Sequence, residues 1–127
     1  MKSCTDLEQS KKLAEILPIE SADMWWSKNF IYYNPTASIG IGTEYNDVYT
    51  YKFGEDDIPC WSLASLIEVL PLGVDTHNMT DGDKMYYYVE IYMKRMGKEI
   101  YLSTERYENL VDACMEMILK LKEKDLI

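Results

Sequence analysis

Imidazoles, closely spaced cysteines and clustered bases are what this sequence has least of, and each shortage narrows its chemistry. His77 is the single histidine in 127 residues, so any cysteine nucleophile would have one imidazole base available to it. Cys4, Cys60 and Cys114 lie far apart in the chain, with no pair at the spacing of a metal knuckle or a CxxC redox motif. An odd cysteine count with no export signal predicts reduced thiols in a cytoplasm. The opening residues MKSCTDLEQS hold no apolar run ahead of Cys4, so neither a signal peptide nor a lipoprotein signal is expected. No apolar stretch approaches the roughly 18 residues that span a membrane. Gly40 and Gly42 do not make a GxGxxG motif or a P-loop. The expectation is a soluble cytoplasmic protein with no cofactor and no bound metal.

Positive charge is the other shortage. The net charge is −9, and nearly all of it falls between residues 40 and 83, where Lys52 is the single base. Direct nucleic-acid binding needs a cationic footprint and is therefore not expected. A run of acids is ordinarily a solvated surface. Its sharper reading is an acidic surface, formed by Glu44, Asp47, Glu55, Asp56 and Asp57, that decoys a basic or DNA-binding host protein.

What the chain does contain is a well-patterned core. Hydrophobic residues make up 47% of it, enough for one domain of ordinary size over residues 1–127. Thr5-Asp6-Leu7-Glu8 has the form of a capping box, opening a helix that ends at Pro18. Met24–Trp26 and Phe30–Tyr33 read as short strands, as do Ile39–Gly42 and, more clearly, Val48–Phe53. Leu63, Leu66, Ile67 and Leu70 recur at helical spacing, predicting a helix that begins near Pro59-Cys60-Trp61 and stops at Pro71. Leu72–Lys84 reads as a loop. From Met85 to Met96 the apolar residues alternate with a period of two. Gly97-Lys98 fits a tight hairpin turn, setting Met93 against Leu102 and Lys94 against Tyr101. A final helix from about Thr104 would bury Tyr107, Leu110, Val111, Cys114, Ile118 and Leu121. The order α-β-β-β-α-β-β-α predicts an α+β domain, an antiparallel sheet with three helices packed mainly on one face.

Candidate chemistry is thin. Cys60 at a helix start could gain thiolate character from the helix dipole, but Glu55, Asp56 and Asp57 just before it oppose ionisation. A cysteine-dependent enzyme is therefore the third choice of function. Asp75, His77, Asp81 and Asp83 gather oxygen ligands around one nitrogen, yet Met79 and Thr80 sit where a calcium loop needs acids. The tyrosines carry more information. With Met85, Tyr87, Val89, Ile91 and Met93 turned to the core, Tyr86, Tyr88, Tyr92 and Tyr101 form a stripe on the open side of the sheet. Tyrosine is enriched in interface hot spots, so this stripe is the expected contact surface for a protein partner, with a homodimer as its simplest form.

Three segments, CTDLEQSKKLAEILP, IPCWSLASLIEVLP and NLVDACMEMILKLKEK, resemble in their order a family of small proteins from Bacteroides-type gut bacteria, their prophages and other mobile elements. The resemblance spans most of the chain but not Tyr33–Phe53. It implies a cytoplasmic bacterial or phage accessory protein and carries over no catalytic residue. The functional expectation is a non-catalytic protein-interaction module.

Overall fold

The computed structural model describes residues 2–27, 30–33 and 57–127. Those residues build an α+β structure of three helices and two three-stranded antiparallel sheets, and they gather into two compact units. One unit is drawn from Ser3–Ser65 and the other from Leu66–Ile127 together with Lys2. The expected strands Ile39–Gly42 and Val48–Phe53, and the acids Glu44, Asp47, Glu55 and Asp56, lie outside the described residues.

In the first unit, α1 spans Leu7–Ala14. Its capping box starts one residue later than the sequence suggests: the Asp6 carboxylate accepts from the Gln9 backbone N–H at 2.8 Å, and the Gln9 side chain accepts from the Asp6 N–H at 3.1 Å. Thr5 is released from capping and is fully buried. Strand β1 (Met24–Ser27) lies between β2 (Phe30–Tyr33) and β3 (Ile58–Cys60). The neighbouring tryptophans of β1 divide by strand alternation. Trp25 is buried, whereas Trp26 is half-buried and donates its indole N–H to Ser10 Oγ at 3.2 Å.

The segment Ile58–Cys60 corrects the sequence analysis, because it is a strand and not the start of a helix. Pro59 is tolerated there because, among the described residues, β3 is an edge strand, where a missing backbone donor is least costly. Helix α2 begins only at Leu63 and runs to Val69. Ser62 caps it, its hydroxyl accepting from the Ser65 N–H at 3.2 Å. Asp23 holds Ser62 in turn, taking its backbone N–H at 2.9 Å and also its hydroxyl. Leu66 and Leu70 of the expected apolar stripe are buried, but Ile67 is exposed.

The second unit holds the longer sheet, β4 (Val74–Asp81), β5 (Lys84–Arg95) and β6 (Lys98–Ser103), with β5 in the middle. Strand β4 replaces the expected loop. Its residues are polar on both faces, so no apolar alternation announces it; it is held by backbone pairing with β5 across the Gly82-Asp83 turn, where Gly82 has φ 65°. The β5–β6 turn is Met96-Gly97, with φ of 52° and 79°, the left-handed pair that a type I′ turn requires. The register therefore differs by two residues from the expected one: Met93 opposes Ile100, Lys94 opposes Glu99, and Tyr92 opposes Tyr101. An even slip keeps every side chain on its expected face.

Helix α3 spans Leu110–Glu123 and packs on β5. It starts later than expected, at the cap Asn109, whose side chain accepts from the Asp112 N–H at 2.8 Å. Val111, Cys114, Ile118 and Leu121 are fully buried, as are Val89 and Ile91 of β5. Tyr107 lies outside the helix and Leu110 is only half-buried.

Candidate functional site

Alternation along β5 turns Val89 and Ile91 to one face and Tyr86, Tyr88, Glu90 and Tyr92 to the other. On that second face, cross-strand pairing sets Tyr88 beside His77, Glu90 between Asp75 and Ser103, and Tyr92 beside Tyr101. The four tyrosines singled out by sequence thus share one face, Tyr86 and Tyr88 half-buried, Tyr92 51% and Tyr101 60% exposed.

Glu90 ties this face together. The Glu90 carboxylate near the Tyr101 hydroxyl, with the partial loss of solvent around it, holds the phenol above its ordinary pKa. Nε2 of His77 sits 3.1 Å from Glu90 Oε2. The two are not aligned as donor and acceptor, so the contact is a close electrostatic approach. The His77 ring is stacked on Tyr88, centroids 4.7 Å apart and planes 14° from parallel. His77 is therefore an element of the sheet face. Among the described residues no three His, Cys, Asp or Glu side chains are placed to hold a metal ion.

Beside Glu90 the sheet is interrupted. Glu90 opposes Ser103, and Tyr87 is bridged to Tyr107; three steps along β5 therefore face four along the other chain. The extra residue makes a β-bulge, a device that re-aims side chains and recurs next to functional sites. The buried hydroxyl of Thr104 substitutes for a backbone acceptor, taking the Val89 N–H at 3.0 Å while donating to the Glu105 carbonyl at 2.9 Å. Glu116 of α3 clamps the far side, accepting from the Glu105 N–H at 2.9 Å and from the Tyr107 hydroxyl at 2.8 Å. Burial and this bond to Glu116 push the Tyr107 hydroxyl up to about 12. The bulge borders a cleft of about 730 Å³ lined by Met79, Tyr88, Glu90 and Ser103–Arg106. Sequence reasoning missed the cleft, because a bulge leaves no mark on hydrophobic periodicity.

Cys60 and Cys114 are buried, and Cys4 is half-buried. Cys60 is fully buried in β3, its thiol donating to the Thr5 carbonyl at 3.4 Å and lying 3.5 Å from the Thr5 hydroxyl. Thr5 also accepts from the Trp61 N–H at 3.1 Å and shares a 2.7 Å hydrogen bond with Ser10. Burial pushes the Cys60 thiol up to about 11, and Cys114 equally. With no helix N-terminus at Cys60, the one feature that favoured a thiolate there is gone. Of the five acids named for an acidic surface, Asp57 alone is among the described residues, half-buried just before β3. No helix among the described residues is long and apolar enough to cross a membrane. No family model, curated protein or solved structure matches the chain.

Proposed function

We propose that this chain is a non-catalytic protein-interaction module, an accessory protein that engages a protein partner through the open face of β4-β5-β6. The observation that carries it is the exposure of Tyr92 and Tyr101 side by side on a face that also holds the His77–Tyr88 stack. Paired tyrosines supply large contact area at low entropic cost, which is why they recur at the centres of interfaces. The thiols fit the same reading: two of the three are buried and hard to ionise, so they offer no ready nucleophile near neutral pH.

A homodimer through this face is the simplest version. Light scattering on the eluting chain, with affinity capture from host lysate, tests both forms. The wild type should dimerise or capture a discrete partner, and Tyr92→Ser/Tyr101→Ser should abolish either while the circular dichroism spectrum is kept. A wild type that stays monomeric and captures nothing, or a variant that behaves like it in both assays, sinks the proposal.

A further inference from the structure

The bulge-bordered cleft carries a charge pattern that the tyrosine surface does not explain. Glu90 and Glu105 present two carboxylates and Arg106 one guanidinium, a net single negative charge around about 730 Å³. Among the described residues, neither the Glu105 carboxylate nor the Arg106 side chain has an ion-pair partner. Glu90 lies 3.1 Å from His77 Nε2 on the same face of the sheet. The Tyr88 ring, backed by His77, and Met79 supply flatter, less polar wall. The Glu116 and Thr104 hydrogen bonds fix the backbone that carries Glu105 and Arg106.

A cation set between Glu90 and Tyr88 would gain a charge-assisted hydrogen bond and contact with an aromatic ring. Arg106 offers planar donors to a carboxylate. We propose that this cleft binds a small molecule with a guanidinium or ammonium at one end and a carboxylate at the other, L-arginine being the simplest example. The cation lies on Glu90 and Glu105, and the carboxylate on Arg106. L-Arginine, whose guanidinium, α-ammonium and carboxylate carry two positive charges and one negative, matches the two carboxylates and one guanidinium of the cleft in number. This site goes beyond the partner surface: the two share Tyr88 and Glu90, but Tyr92 and Tyr101, which carry the partner reading, do not line the cleft.

The test is an amide-shift NMR titration of the full chain with L-arginine, L-citrulline, which is neutral in the side chain, and agmatine, which lacks the carboxylate. L-Arginine should produce saturating shifts at Tyr88, Glu90 and residues 103–106. Citrulline and agmatine should bind roughly tenfold or more weakly, the cost of losing one charged hydrogen bond. Glu90→Gln should weaken arginine by a similar factor. Arg106→Gln, on an exposed side chain that leaves the sheet intact, should weaken arginine but not agmatine. An N-acetylated glycyl-arginine with a free C-terminus separates the sources. Equal affinity for it assigns the ligand to a polypeptide chain end, and a preference for L-arginine assigns it to the free amino acid; either supports the cleft. The proposal is overturned by the absence of saturable shifts there, by equal binding of all three small probes, or by an Arg106→Gln chain that binds arginine unchanged. A failed partner capture leaves this result untouched, and a failed titration leaves the partner surface untouched.

Discussion

Tyr92 of β5 and Tyr101 of β6 stand directly opposite one another, and both keep more than half of their surface in water. Aromatic cross-strand pairs stabilise sheets by roughly 0.2–1 kcal/mol. A double-mutant cycle with Tyr92→Ser and Tyr101→Ser, read by urea unfolding under monomeric conditions, should return a coupling in that range. A coupling of zero would contradict the observed register, since the alternative places Lys94 opposite Tyr101.

Thr104 tests the bulge. Its buried hydroxyl satisfies the Val89 N–H, so Thr104→Val leaves that donor unpaired at a cost of about 1–3 kcal/mol. Thr104→Ser keeps the hydroxyl and should lose clearly less. If valine and serine cost the same in chemical denaturation, the hydroxyl is not what holds the bulge.

Gly73 is irreplaceable for a different reason. Its φ is 95°, and a Cβ added there would run into the Tyr92 carbonyl oxygen. Gly73→Ala should cost about 1–3 kcal/mol, more than Gly97→Ala, where φ is 79° but nothing obstructs a Cβ. Equal losses in urea midpoints would refute the close approach.

The buried acids that stay neutral set an alkaline limit. Folding raises the Cys60 and Cys114 thiols from near 9 to about 11 and the Tyr107 phenol from near 10 to about 12. Above pH 9 the unfolded chain gives up these protons first and so binds fewer than the folded one. Stability then falls as pH rises. It should be full below pH 9 and decline through pH 12, with roughly 2–3 kcal/mol lost per thiol. Thiol labelling near neutral pH offers a second measurement: half-buried Cys4 should react first, and Cys60 and Cys114 only on unfolding. Fast labelling of Cys60 in the folded chain would revive a reactive role for it.

Much of this fold was legible in the residues. The alternation from Met85 to Met96 determined the two faces of β5, although of its expected core side only Val89 and Ile91 are buried while Tyr87 and Met93 are half-buried and Met85 is exposed. It survived a hairpin turn placed one residue away from Gly97-Lys98, because the resulting slip in pairing is even. The stripe Val111, Cys114, Ile118 and Leu121 likewise marked the buried side of α3, since helical period depends only on local geometry. Tertiary structure alone decided the rest. Ile58–Cys60 became a strand because β1 offered it an edge, and Val74–Asp81 became one because β5 supplied backbone partners that no side-chain pattern records. The cleft depends on a single extra residue between Ser103 and Tyr107 and on Glu116 reaching back to Glu105. Periodicity is a local property written in the sequence. Pairing partners, bulges and the meeting of His77 with Glu90 are properties of distant segments, and they exist only once the chain has folded.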